Sequence, residues 1–301
     1  MVKETIECLN EADMTSLDYD DLTIIYTVGG NDNHYENMEK CIKSIRKRGI
    51  DPHFLILEFG NKLKSSIEEK IEVINLTDAV NFSLGKKVGY QIWKFKYVGC
   101  LAIKTKYGIY VDTDTVLLNN TIPGIIDKIN GGFGVTQHFW VPNIEYYQKR
   151  ATDTSTIQEF IKIKNRLGLK DQDLFFAGGV FAFENNDNVK NMLQDVLRMY
   201  DDYYEGKDYV KSITDELFLA AALNRKPELI RLYGGALNHC SMGDENMPMT
   251  EHEGILYGRN SFENTWQPIT FLHCDISRRD PSISYTGTIR DLIRKAFEIP
   301  V

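Results

Sequence analysis

Apolar and polar residues are grouped along this chain in short blocks whose period changes from one block to the next. Leu22-Thr23-Ile24-Ile25-Tyr26-Thr27-Val28 is largely apolar and β-branched and is closed by Gly29-Gly30, the pattern of a strand buried on both faces. Beyond a loop at residues 31–33, Met38, Ile42 and Ile45 fall at helical spacing, so a helix is expected from about Tyr35 to Arg48, stopped by Gly49. His53-Phe54-Leu55-Ile56-Leu57 reads as a second strand, Leu63 to Lys70 as a short helix, and Ile71 to Leu76 as a third strand. That alternation predicts a parallel sheet with helical crossovers.

A broad helical pattern runs from Gly89 to Lys106 and leads into a fourth strand, Gly108-Ile109-Tyr110-Val111. Further strands are expected over Gly131–Thr136, Phe176–Phe183 and Pro268–Cys274, with helices over Thr156–Leu167, Asn188–Tyr204 and Thr214–Leu223. A last amphipathic helix over 287–299 uses Ile289, Leu292, Ile293 and Phe297. Residues 1–20 are polar, acidic and aperiodic and read as a lead-in. No repeat, low-complexity tract or linker divides residues 21–301, so one α/β domain is expected, a mostly parallel central sheet flanked by helices.

The fourth strand runs out into Asp112-Thr113-Asp114. Residues i and i+2 of a strand point the same way, so a break at Thr113 lets both carboxylates converge. Two anionic oxygens aimed at one point repel unless a hard divalent cation lies between them, the chemistry of Mg²⁺ or Mn²⁺ with a phosphate-bearing ligand. The alternative is a solvated strand-to-loop corner, where Asp is common. Position favours the ligand site, because ligands of open α/β sheets bind at the carboxyl ends of the strands.

Other candidates join the pair. His273 ends an apolar strand, and Arg278 and Arg279 follow in a loop where guanidinium groups could hold a diphosphate. Gly178-Gly179 lets backbone approach a ligand closely, although a simple bulge needs the same residues. Asp215 and Glu216 open an apolar helix, where carboxylates also serve as dipole partners.

Composition narrows the classes. The 301 residues carry 43% hydrophobic and 26% charged residues and a net charge of −8, which argues against nucleic-acid binding through a basic surface. Five scattered cysteines without a Cys-X-X-Cys pair make a zinc site or disulfide framework unexpected and fit a reducing compartment. With no apolar leader and no membrane-length apolar run, a soluble cytoplasmic protein is expected. Arg290, Arg294 and Lys295 on the final helix leave peripheral contact with an anionic membrane open, with packing on the domain as the alternative.

Taken in order, these pieces resemble the GT-A glycosyltransferases that use nucleotide sugars, especially retaining enzymes of the glycogenin and lipopolysaccharide galactosyltransferase type. The stretch Gly108 to Asp114 is also similar to the Gly-Ile-Tyr-hydrophobic-Asp-X-Asp stretch of capsular sugar transferases. The resemblance spans roughly Leu22 to Arg279. It implies that Asp112 and Asp114, with Thr113 between them, bind Mn²⁺ or Mg²⁺ on the diphosphate of a UDP- or GDP-sugar, with His273 as third protein ligand. Arg278 or Arg279 stands where the family has a lysine. Thr27, Val28, Gly29 and Asp32 fall where the family holds the nucleoside, and Lys94 or Lys96 where a helix cation contacts the donor. The family's Asn-Ala-Gly stretch lining the donor sugar is matched by Phe176-Ala177-Gly178-Gly179, with Phe176 in place of the Asn. Its later Asp-Gln-Asp is matched in order by Asp215-Glu216-Leu217, with Glu for Gln; Asp171-Gln172-Asp173 is closer in letters but precedes the glycines.

The resemblance therefore implies sugar transfer from a nucleoside diphosphate to a carbohydrate acceptor hydroxyl, with retention and with Asp215 or Glu216 near the anomeric carbon. Trp140, Tyr146 and Tyr147 could form an acceptor platform or pack in the core. Two rivals stand. A haloacid dehalogenase-like phosphohydrolase would use Asp112 as nucleophile and Asp114 as general acid, but its later acidic motif has only Gly243-Asp244-Glu245-Asn246, which follows no hydrophobic strand. A non-catalytic nucleotide-sugar-binding domain would keep the fold alone.

Overall fold

A computed structural model describes residues 5–6, 17–30, 32–60, 62–77, 88–138, 141, 143–150, 154–204, 214–240, 247–260, 263–273 and 287–296. In chain order the first half contains β1 (Thr5–Ile6), β2 (Leu22–Val28), α1 (Asp32–Arg46), β3 (His53–Glu58), β4 (Ser66–Glu68), β5 (Ile71–Asn75), α2 (Val88–Ala102), β6 (Tyr107–Val111), β7 (Thr115–Leu117), α3 (Ile122–Ile129) and β8 (Phe133–Thr136). The second half contains α4 (Ile144–Arg150), α5 (Thr154–Leu167), β9 (Val180–Glu184), α6 (Asp187–Tyr204), α7 (Asp215–Asn224), β10 (Ile230–Tyr233), β11 (Asn238–Cys240), β12 (Met249–His252), β13 (Ile255–Gly258), β14 (Thr265–Pro268), β15 (Phe271–His273) and α8 (Gly287–Ala296).

The large sheet has the order β10-β8-β9-β6-β2-β3-β5-β4. Its strands run parallel except β9 and β4, which oppose their neighbours. Both faces are covered, as a mostly parallel sheet requires. Ile24, Tyr26, Ile109, Val111, Val180 and Ala182 point to the layer of α1 and α3, while Ile25, Tyr110, Phe181 and Phe183 point to the layer of α2, α6 and α7. This alternation along β2, β6 and β9 explains why those strands read as continuous apolar runs. Cys41 and Cys100 are buried free thiols within these layers.

Two small sheets flank the large one, β11-β15-β7 and β1-β14-β13-β12. They meet α8 through Val116, Leu256, Ile269, Leu272 and Ile293. Among the described residues no helix is long and apolar enough to cross a membrane.

Several sequence expectations change. Leu63–Lys70 contains no helix; Ser66–Glu68 forms the edge strand β4, turned back onto β5 through Glu69 at φ +45°. The helix expected to reach Lys106 ends at Ala102, since Tyr107 is already paired with Leu22 in β6 and β2. The strand expected from Phe176 starts at Val180. Inside the expected lead-in, Thr5–Ile6 pairs with Thr265–Trp266. Residues 297–299 of the expected last helix, with Phe297, lie outside the described residues.

Candidate active site

Strand register assembles the site. Val111, the last residue of β6, pairs with Val180, the first of β9, so Asp112 and Gly179 face each other just past the ladder, and the Asp112 N–H donates to the Gly179 carbonyl at 2.8 Å. The chain then leaves the large sheet, because Thr115 begins β7 and pairs with His273 at the end of β15. Asp112, Thr113 and Asp114 therefore form the turn between two sheets, pinned by the Thr115 hydroxyl donating to the Asp112 carbonyl at 2.9 Å. His273 Nε2 lies 3.0 Å from Asp114 Oδ1. One ligand atom from each of Asp112, Asp114 and His273 falls within 4.8 Å of the others.

The two glycines are required by this closeness. A Cβ on Gly179 would stand 2.7 Å from His273 Nδ1 and 3.0 Å from Asp112 Oδ2, and one on Gly178 would stand 2.9 Å from Glu216 Cγ. Those separations are below van der Waals contact, so only glycine lets the β9 entrance pass between the two carboxylate groups. Gly178 instead donates its N–H to Glu216 Oε1 at 2.8 Å.

A buried cation lies beneath. Lys96 of α2 places Nζ 3.1 Å from Asp215 Oδ2, 3.8 Å from Asp112 Oδ1 and 3.3 Å from the Gly178 carbonyl. Tyr97 donates its hydroxyl to Asp215 Oδ2 at 2.8 Å, and Tyr110 donates to Asp112 Oδ1 at 2.6 Å. Asp215 thus has Oδ2 occupied by both Lys96 and Tyr97, whereas Glu216 Oε2 lies 3.4 Å from the Thr214 hydroxyl, which donates to it, and 4.0 Å from His138 Nε2, with 20% of its side chain exposed.

The charge balance is negative: Asp112, Asp114, Asp215 and Glu216 surround one permanent cation, Lys96. Burial raises the Glu216 carboxyl to about 7, and the Asp215 charge adds to it. Burial also raises Asp112, against the pull of Lys96 and His273. Burial of His273 is outweighed by the Asp114 charge and hydrogen bond, which raise its imidazole, while the same contact outweighs burial at Asp114 and lowers it. Burial alone would lower Lys96, yet Asp112, Asp215 and Glu216 raise it. A convergent set of oxygens and one imidazole with excess negative charge fits a divalent cation of the Mg²⁺ or Mn²⁺ kind. His273 Nδ1, buried without a hydrogen-bond partner in the structure, belongs to the same cradle.

The nucleoside-side candidates gather at the neighbouring strand ends. Thr27 and Val28 close β2, and Gly29 is pressed to 3.1 Å of the Phe59 Cβ if given a Cβ of its own. Asp32 opens α1 and pairs with Lys62. Between them Glu58, fully buried at the end of β3, accepts from Tyr35 at 2.5 Å, Gly60 N at 2.7 Å and Lys62 N at 3.0 Å. Those bonds outweigh burial and lower its carboxyl.

Other candidates separate from the cluster. Lys94 pairs at 2.6 Å with Asp201 of α6, on a different flank of α2 from Lys96. Phe176 is buried in the core and supplies packing where an Asn was expected. Asp171 pairs with Lys164, and Asp173 accepts from the Lys170 N–H, so that triplet belongs to the turn after α5. Tyr146 is half exposed on α4; Trp140, the Tyr147 side chain, Arg278 and Arg279 lie outside the described residues. Sequence reasoning missed Tyr97, Tyr110, His138 and Glu58. Tyr110 was recoverable, since it shares a strand face with Asp112; the others carry no local signal.

No protein-family model matches the chain, and no curated protein sequence matches it. Among solved structures it is similar to the galactosyltransferase LgtC in complex with donor and acceptor sugar analogues, at 14% identity and a TM-score of 0.55, over 92% of this chain and 95% of that one. It is likewise similar to an active-site mutant of LgtC, glutamine to glutamate, at 14% identity and a TM-score of 0.53, over 91% and 94% of the two chains. The fold is therefore that of the GT-A glycosyltransferases: a mostly parallel sheet flanked by helices, with its acidic turn after β6 at the carboxyl edge.

Proposed function

We propose that this protein is a metal-dependent glycosyltransferase of the hexosyltransferase type, moving a sugar from a nucleoside diphosphate sugar to a carbohydrate acceptor hydroxyl with retention of anomeric configuration. The observation that carries the reading is the convergence of Asp112, Asp114 and His273 at the carboxyl edge of a GT-A sheet, beside a second carboxylate pair.

In this reading Asp112, Asp114 and His273 hold Mn²⁺ or Mg²⁺. The bound ion supplies Lewis-acid neutralisation of the diphosphate leaving group. Thr27, Val28, Gly29 and Asp32 line the nucleoside side, and Glu58 fixes the loop opposite them. Arg278 and Arg279 are assigned to the diphosphate by resemblance.

Asp215 is tied to Lys96 and Tyr97 and positions the floor of the site. Glu216, with 20% of its side chain exposed against 4% for Asp215, is the better placed of the two to face the anomeric carbon. Its carboxyl, raised to about 7, changes charge near neutral pH. Lys96 lies within reach of both Asp112 and Asp215 and offsets the charge gathered there.

The test is to incubate the protein with Mn²⁺ and a panel of UDP- and GDP-sugars and to follow release of nucleoside diphosphate. Turnover of one donor is the expected result. Metal-dependent phosphate release from sugar phosphates, with every donor left intact, would favour the phosphohydrolase; tight donor binding with no turnover would favour the non-catalytic domain.

A further inference from the structure

The outer side of α1 carries Lys40 and Lys43, continued by Lys47, at the i, i+3, i+7 spacing of one helix face. With Arg48 and with Lys295 of α8 they ring a cavity of about 400 Å³. Among the described residues that line it there is no carboxylate, in a chain whose net charge is −8. Like charges gathered around one cavity repel and raise each other's cost unless an anion shares the space.

Two details make this more than a solvated helix face. Arg48 is held in place, its Nε donating to the Leu118 carbonyl at 2.8 Å and its Nη1 to the Ser44 carbonyl at 2.9 Å. Among the described residues none of Lys40, Lys43, Arg48 or Lys295 is in an ion pair. The cavity also has an apolar side formed by Leu118, Leu256 and Leu292, which belong to the cluster that seats α8. Cations beside an apolar wall match an anion carried on an organic body.

We propose that this cavity binds a phosphate ester, its phosphate among Lys40, Lys43, Arg48 and Lys295 and its organic portion against the leucine wall. The site is distinct from the Asp112–Asp114–His273 centre: Leu118 lies four residues beyond Asp114, one residue past the far end of β7, up to about 13 Å along extended chain. It stands on the cavity and its charges and does not depend on the sugar-transfer reading. The ester could be a soluble metabolite or the headgroup of an anionic phospholipid, since both present the same group.

The test compares the native protein with the double variant Lys43→Glu and Lys295→Glu, both exposed positions, in the presence of a chelator. A control carries Lys104→Glu and Lys162→Glu, which are 85% and 74% exposed elsewhere and change net charge equally. Inorganic pyrophosphate is titrated by calorimetry, and co-sedimentation is measured with vesicles of phosphatidylcholine alone and of equimolar phosphatidylcholine and phosphatidylglycerol. Reversing two charges at the cavity should weaken pyrophosphate binding roughly tenfold or more while the control changes it little. If anionic vesicles also capture the native and control proteins but not the cavity variant, the ligand is a headgroup; if vesicles capture none of them, it is a soluble ester. Equal binding of both probes by the cavity variant and the native protein, or binding of neither by the native protein, overturns the proposal.

Discussion

Glu216 offers a stability test that is sensitive to the electrostatics of the whole cluster. Its carboxyl has an ordinary value of 4.5 and is raised to about 7 in the folded protein by burial and by the neighbouring Asp215 charge. Between those values the folded protein binds a proton that the unfolded chain has released. Stability is therefore fully present below pH 4.5 and is lost as the pH rises toward 7, by about 3 kcal/mol at neutral pH. Glu216→Gln keeps an acceptor for the Gly178 N–H and removes the ionisation. In urea unfolding with a chelator present, the variant should match the native protein near pH 4.5 and exceed it by about 3 kcal/mol at pH 7. The slope of the difference carries the argument. A difference that stays constant from pH 4.5 to 7, or grows toward low pH, would show that Glu216 is not held protonated by burial and the Asp215 charge.

Lys96→Met removes the permanent cation from beside Asp112 and Asp215 while keeping an apolar stem, and should cost about 3–5 kcal/mol at neutral pH; partial recovery on adding Mn²⁺ is expected, and its absence would separate Lys96 from the proposed metal site. Gly179→Ala places a methyl against His273 and Asp112, and calorimetric titration should find Mn²⁺ affinity reduced roughly 10- to 100-fold with the far-UV circular dichroism unchanged; native affinity would mean that the cradle is looser than its geometry.

Much of the fold was legible because the sheet is buried on both faces. Each of β2, β3 and β6 is a continuous apolar run, and β6 stops where carboxylates begin, so Asp112 and Asp114 stand out in the sequence itself. His273 stands out for the same reason at the end of β15. Lys94 and Lys96 could not be told apart, because two residues turn a helix by about 200° and only the packing of α2 against α6 and β2 decides which side faces the carboxylates. Glu58 was hidden by its surroundings, being a strand-end acid like any other until Tyr35 and the Gly60 and Lys62 N–H groups donate to it. The Leu63–Lys70 window failed because its apolar residues are too few to show a period, and β4 takes its direction from β5. Glycine at 178 and 179 was compatible with a bulge or with backbone lying close to a ligand; the structure shows backbone packed closely against the Glu216, Asp112 and His273 side chains, which neither expectation named.

The most direct test of the central claim is nucleoside diphosphate release from UDP- and GDP-sugars, measured side by side for the native protein and Asp114→Ala, each with Mn²⁺ and with chelator. Release of the diphosphate from one donor by the native protein with Mn²⁺ alone, and by neither protein with chelator, is the predicted outcome, with Asp114→Ala folded and inactive throughout. Equal turnover by Asp114→Ala, or turnover indifferent to the metal, would contradict it.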